Sequence, residues 1–447
     1  MKAKLSLAKM PVTALIFVGL FFAFSLLLFW FHAFSLKAGP EFNLTESEIA
    51  YKFTITPVDT TQSEISNITQ RITAQIKSPT STQDLAELAN LYISEAKKTG
   101  NSDYYSEAEK LAVKSLTLGP KDKSAKAAKL AIVRVLTARH QFREALQTLE
   151  EFPEGSKNSP EVVYLRAIIH LALSDFSAAF NEANTLIKVK PDIGSATLKA
   201  LVLSQLGQDD LAFHYFKKAV QLEDIGEQVQ SVLTRAQFAQ FLIKRGEYDK
   251  ALLLCDSGLK IIPTNAYLKL VKAQAFNSQK KYKEAYELMS KAFAESKEPT
   301  YLLNMLFSLK LLKRETDFKI LSDEVLKIYI KEAEQNSYGH LLDLASVYYI
   351  LNDFEKSAKT VLLDQQNRNN LRGDLILAKA LIKLNKTEKA REVLEAQIAK
   401  GSTEVSLFYL MTELLEGENN KKLRDLFTQR IAKNNSNFNL DLLFSIP

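Results

Sequence analysis

One cysteine, one tryptophan, fourteen glycines and eleven prolines are all that 447 residues hold of these four types. A single cysteine, Cys255, excludes an intrachain disulfide framework and any cysteine-based zinc cluster, and it leaves the redox compartment open. So little glycine and proline leaves few points at which regular structure must break. The five histidines, His32, His140, His170, His214 and His340, stand at least thirty residues apart, so no HExxH or HxH pair exists. No GxxxxGK[ST], GxGxxG or GxSxG run occurs, which removes the familiar phosphate cradles and the nucleophile elbow. No catalytic activity, cofactor, metal or small-molecule substrate is expected. An excess of one charge is missing too. The net charge of +6 includes four lysines among residues 1–37, which leaves 54 basic against 52 acidic residues beyond them. A nucleic-acid binder would carry its excess in the folded body, so nucleic acid is not an expected partner.

What is present is a period. Small residues recur at Ala108, Ala145, Ala179, Ala212, Ala251, Ala285, Ser357 and Ala390, with gaps of 37, 34, 33, 39, 34, 72 and 33. Self-similarity at intervals in the thirties marks an array of one repeated unit. Three positions before the landmark stands an aromatic: Tyr105, Phe142, Phe176, Tyr248, Tyr282, Phe354. Twelve positions before it stands a second small residue: Ala167, Ala200, Ala239, Ala273, Ala345, Ala378. Proline often follows, as at Pro120, Pro191 and Pro263. Each period predicts two amphipathic helices joined by a tight turn. The paired small residues mark where the helices cross closely, since a larger side chain would push the axes apart. The landmarks, the aromatics and Cys255 are therefore expected in the core. In the seventh period, Leu309 and Leu321 stand where small residues are expected.

Gly246-Glu247-Tyr248-Asp249-Lys250-Ala251, followed by Cys255, Gly258 and Pro263, resembles the second half of a tetratricopeptide repeat. Asp175-Phe176-Ser177-Ala178-Ala179 with Pro191, and Lys281-Tyr282-Lys283-Glu284-Ala285, match the same family pattern. The opening repeat, with a three-residue extension after Thr99, is similar to that of bacterial membrane-anchored members. The resemblance implies an all-α solenoid, a right-handed superhelix of helical hairpins. It also implies that the first helix of each repeat lines a concave groove for protein partners. On that surface fall Asn90, Arg134, Tyr164, Gln240, Tyr267, Gln274, Asn277, Tyr349 and Lys379. Amides, tyrosines and isolated cations suit peptide recognition. A carboxylate clamp used by some members needs lysine at the fifth position of the first helix. Here Ala86, Leu130 and Tyr164 stand there, so that ligand is not expected.

Residues 12–36 carry no charge and are dominated by Phe, Leu, Val and Ile, long enough to span a bilayer core. Lys2, Lys4 and Lys9 precede the run, whereas Glu41, Glu46 and Glu48 follow it beyond Lys37. By the positive-inside rule, residues 1–11 stay cytoplasmic and the body faces the periplasm or cell exterior. The run exceeds a signal-peptide core, and Leu36 stands where a cleavable site wants a small residue, so an uncleaved single-pass anchor in a bacterial inner membrane is expected. The opposite insertion would make the body a cytoplasmic adaptor that recruits proteases or chaperones. Beyond the anchor we expect a tether over 37–61, a capping helix over 62–80, the repeats over 81–433 and a tail over 434–447.

Two basic stretches stand out. The first holds Lys110, Lys114, Lys121, Lys123, Lys126, Lys129, Arg134, Arg139 and Arg143 against Asp122 alone. Its members Lys121, Lys123, Lys126, Lys129, Arg134 and Arg139 form a candidate patch for an acidic partner or anionic lipid. The second, residues 368–391, carries Arg368, Arg372, Lys379, Lys383, Lys386, Lys389 and Arg391 against Asp374 and Glu388. The function expected is a non-enzymatic, membrane-anchored scaffold for proteins of the cell envelope. The other expectation is an assembly factor for an envelope machine (secretion, pilus, cytochrome maturation or polysaccharide export).

Overall fold

In the computed structural model, residues 42–55, 81–99, 103–119, 123–296, 299–334, 340–366, 368, 370–415 and 421–435 are described. The expected anchor over 12–36, its basic flank, the capping helix over 62–80 and most of the tail lie outside them. Among the described residues no helix is long and apolar enough to cross a membrane, and there is no strand.

Among the described residues twenty helices follow one another in ten consecutive pairs, with two single-turn helices beside them. In chain order they are α1 (Glu46–Ile49), α2 (Thr82–Thr99), α3 (Asp103–Thr117), α4 (Lys123–Ala138), α5 (Phe142–Glu150), α6 (Glu154–Lys157), α7 (Pro160–Ala172) and α8 (Phe176–Val189). Next come α9 (Ile193–Gln205), α10 (Asp209–Gln221), α11 (Gln228–Lys244), α12 (Tyr248–Ile261), α13 (Ala266–Ser278), α14 (Tyr282–Ser296) and α15 (Thr300–Leu311). The last are α16 (Glu315–Glu334), α17 (Leu341–Ile350), α18 (Phe354–Asp364), α19 (Leu371–Lys383), α20 (Thr387–Ala399), α21 (Val405–Leu414) and α22 (Lys421–Asn434). The pairs α2–α3, α4–α5 and α7–α8 onward to α21–α22 are hairpins one to ten.

The landmark residues explain the pairing. Ala108, Ala145, Ala179, Ala212, Ala251, Ala285, Ser357 and Ala390 are all fully buried, as are their partners Ala167, Ala200, Ala239, Ala273, Ala345 and Ala378. Phe142 and Phe176 are buried beside them, while Tyr105, Tyr248, Tyr282 and Phe354 are half-buried. Each tight turn of hairpins two to nine is made by one residue in the left-handed region: His140, Ser174, Gly207, Gly246, Lys280, Lys313, Asn352 and Asn385. Such a residue ends the first helix by satisfying its last carbonyls, and it starts the second two positions later. Lys313 thereby fixes the register of hairpin seven. Leu306 and Phe318, not Leu309 and Leu321, occupy the crossing positions there, and both are bulky.

First helices touch the first helices of neighbouring hairpins throughout, so they form one continuous inner wall. The second helices lie outside. The wall also meets itself. Lys244 at the end of α11 pairs with Glu404 before α21 at 3.0 Å. Asn435 donates to the Lys244 carbonyl at 3.2 Å. Gly207 leaves no room for a side chain, since a Cβ there would lie 2.5 Å from Thr403 Oγ1. The turn ends of hairpins two to five thus rest on the starts of α17, α19 and α21, closing a seam after five or six hairpins.

Residues 42–55 are no free tether. They run as a strap across the outside of hairpins four and five, with α1 against α10 and α12. Phe42 is buried, its ring 5.0 Å from that of Phe213 and 5.5 Å from that of Phe241. Thr45 and Glu48 close a capping box that starts α1, and Glu48 pairs with Lys217. The Ile49 carbonyl accepts from Arg235 Nη2 and from Ser257 Oγ, each at 2.8 Å. Arg235 is completely buried and paired with Glu223, itself buried. The strap therefore satisfies a donor that the helices alone leave open.

Candidate functional site

The inner wall brings the nine expected groove residues into three groups. In the first, Arg134 of α4 donates to Asn90 of α2. Together with Tyr164 of α7, Arg134 also lines a cavity of about 300 Å³ between hairpins two and five. Glu161, Lys190, Asp192 and Glu227 share that cavity, so its charge is mixed. Burial lowers the Arg134 pKa against the pull of Glu161, and burial and then Asp192 raise that of the Tyr164 hydroxyl. Burial, then Asp192 and Asp224, hold Glu227 above the usual carboxylate range.

The second group lies inside the wall rather than on an open face. Tyr267 of α13 donates its hydroxyl to Gln240 Oε1 of α11 at 2.8 Å. Gln274 is 1 % exposed and Asn277 is fully buried. Ser308 of α15 donates to Asn277 Oδ1 at 3.2 Å, while both amide atoms of Gln274 and the Asn304 Oδ1 lack a partner. Buried amides of this kind bind the helices to one register and cost stability where unsatisfied. A groove ligand meets them only if the helices part.

The third group holds Tyr349 of α17 and Lys379 of α19. They line a cavity of about 410 Å³ between hairpins seven and ten. Phe307, Leu311, Phe354 and Ile382 give it apolar walls, and Lys310, Lys383 and Glu413 give it charge. The Lys379 amine stands 5.2 Å over the Tyr349 ring, and Lys310 donates to the Ile350 carbonyl at 2.9 Å. Lys310 and Glu413 are not apparent from local sequence, because they come from hairpins two and one removed from Lys379.

The basic patch near residue 130 is largely neutralised by acids from elsewhere in the chain. Lys126 stands 3.7 Å from Glu161, Lys129 3.7 Å from Glu151, and Arg139 2.5 Å from Glu109. Lys123 is exposed, and Lys121 lies outside the described residues. Cys255 is fully buried, and burial raises its thiol pKa, which makes it unreactive. Among the described residues no three His, Cys, Asp or Glu side chains gather as a metal site requires.

The family model described as tetratricopeptide repeat matches residues 194–224, which are α9 and α10 with their turn. The stretch 194–224 is a tetratricopeptide repeat, and the helical pairs around it form an all-α solenoid of that type. Its solved relatives in fold include a thermophilic tetratricopeptide-repeat protein of Thermus thermophilus, 19 % identical over 44 % of this chain and 99 % of that one, with a TM-score of 0.38. Another is a tetratricopeptide-repeat protein of Parabacteroides merdae, 16 % identical over 66 % of this chain and 98 % of that one, TM-score 0.36. The Cut9–Hcn1 hetero-tetramer of the APC/C aligns with 85 % of this chain and 73 % of its own at 13 % identity, TM-score 0.49. No curated protein matches the chain. A helical-repeat scaffold of this type is consistent with protein–protein interaction.

Proposed function

We propose that this helical-repeat protein is a non-enzymatic scaffold that holds an extended segment of a partner protein along its inner wall. The observation that carries this is the pair of inner cavities, each combining a tyrosine, cations and apolar walls drawn mostly from first helices. Tyrosine supplies contact area at small entropic cost, and the cations fix orientation. The apolar run over residues 12–36 supports a membrane anchor with the body on the far side of a bacterial inner membrane.

The test is co-purification of the full chain from intact membranes, with Tyr164→Ala and Tyr349→Ala combined so that each cavity loses one side chain. Helical content should persist while the specific partner is lost. A folded double variant that retains every partner would refute the groove. A C-terminal reporter active only in the cytoplasm should stay silent, and activity there would reverse the orientation.

A further inference from the structure

The tripeptide Phe-Asn-Leu occurs twice in the sequence. Phe42-Asn43-Leu44-Thr45 opens the strap, and Phe438-Asn439-Leu440-Asp441 recurs after the last helix, beyond the described residues. In the strap the pattern has a structural meaning. Phe42 and Leu44 are buried while Asn43 between them is exposed, the alternation of an extended segment. Thr45 then caps the single turn of α1, and aspartate is at least as good a cap. The socket for Phe42 lies against Phe213 of α10 and Phe241 of α11, and the Asn43 carbonyl accepts from Lys217 at 3.4 Å.

The second copy of the pattern begins beside that socket. Asn435 is 4 % exposed, and its side-chain amide donates to the Lys244 carbonyl at the end of α11. Phe241 stands three residues earlier on the same helix, about 4.5 Å along its axis. The chain from Asn435 to Phe438 spans up to about 10 Å, enough to bring Phe438 to the Phe241 ring. The strap runs from Phe241 towards Arg235, nearer the start of α11, and a segment leaving Asn435 can follow the same direction. The match ends after four residues. Phe444 and Ser445 stand where the strap has Glu48 and Ile49, so the later segment offers Lys217 no carboxylate. That difference ranks the strap as the stronger occupant.

We propose that residues 438–446 are a second occupant of the strap groove, taking it within the same chain when the strap leaves. An empty groove would turn the Phe213 and Phe241 rings to water and cost Arg235 and Ser257 the Ile49 carbonyl. The two segments cannot share one socket. Whatever draws residues ahead of Phe42 away therefore favours docking of the C-terminal segment, and whatever captures that segment leaves the groove to the strap. The coupling is reciprocal by linkage. It goes beyond the inner-wall reading and is independent of it, because this groove is on the outside of hairpins four and five.

The test is thiol labelling of the full chain in detergent. Cys255 is fully buried, so Leu440→Cys supplies the one reporting thiol. Adding Ile49→Asp to release the strap should slow maleimide modification at position 440 about tenfold. Adding Phe438→Asp as well should restore the faster rate. Phe42→Asp is a second way to release the strap, and circular dichroism checks that the helices persist in each variant. In the Ile49→Asp chain a short bismaleimide should join Lys217→Cys to Asn439→Cys within one chain, since Asn439 takes the place of Asn43. Labelling unchanged by both strap variants, slow labelling that persists with Phe438→Asp, or cross-links only between two chains would each overturn the exchange.

Discussion

His140 makes its turn with φ 60, a conformation that costs most residues but that asparagine accepts, as Asn352 and Asn385 show in equivalent turns. Its ring packs edge-on against Phe142 at 5.5 Å, and its buried Nδ1 has no partner. Burial, with Arg368, His340 and Arg372 nearby, pushes its pKa from 6.5 down to about 3. The folded state therefore refuses a proton that the unfolded chain accepts. Stability is intact above about 6.5 and falls as pH drops from there towards 3. Melting curves at pH 7 and pH 4.5 should show a drop that His140→Asn reduces, and an equal drop in both proteins would rule the histidine out. Lys199 shows the same sign at the other end of the scale. Buried over the Phe180 ring and donating to Asn184, its amine is pushed by burial from 10.5 down to about 8. Its protonation opposes folding at neutral pH, and that opposition is relieved as pH rises from about 8 to 10.5. Lys199→Met should melt higher than the parent at pH 7, with the advantage shrinking towards pH 10.5. At the fully buried Ala251, leucine should overpack the helix crossing and cost about 1–3 kcal/mol in denaturant titrations. Positions such as Ala251 were legible from sequence because a close crossing leaves a periodic mark. A half-buried histidine in a turn leaves none, since its environment comes from residues two hundred positions away.

At the scale of elements, hairpins follow from local pattern, but the strap does not. Residues 42–55 read as polar linker, and the buried Phe42, Leu44 and Ile49 mark their docking. Nor does the run around Thr234 and Arg235 announce a buried ion pair, because Glu223 stands outside the helix that carries Arg235. Of the residues that counting along first helices assigns to a concave surface, Arg134, Tyr164, Tyr349 and Lys379 line cavities, whereas Gln274 and Asn277 are enclosed by neighbouring helices. A helical wheel shows which face a residue takes, not how closely the next helix covers it. Two variants separate strap from helix. Arg235→Met leaves Glu223 buried without its partner and should cost about 3–5 kcal/mol, while adding Glu223→Leu should recover much of the loss. Ile49→Asp should release the strap, exposing it to limited proteolysis while helical content persists. Protection equal to that of the parent would mean that the strap is held by something other than Ile49 and its carbonyl.

At the scale of the whole molecule, an open array of repeats unfolds in pieces, because each unit touches only its neighbours. The seam alters that. Removing one side of the Lys244–Glu404 pair by Lys244→Met leaves a nearly buried carboxylate and should cost about 1–3 kcal/mol. Hydrogen exchange should then show α21 and α22 opening separately from the rest, whereas the parent protects them together with α11. Uniform protection in the variant would show that the seam contributes nothing to cooperativity. The same contact bears on how the protein is made. Lys244 and Glu404 are 160 positions apart, so this contact cannot form until the chain has been synthesised past Glu404. Early hairpins can assemble in sequence as they emerge, like beads on a string. The clasp that joins the string into a necklace comes last and must overcome the entropy of a long loop. Until it closes, the polar edges of hairpins two to five stay open to water, to chaperones and to the wrong end of another chain.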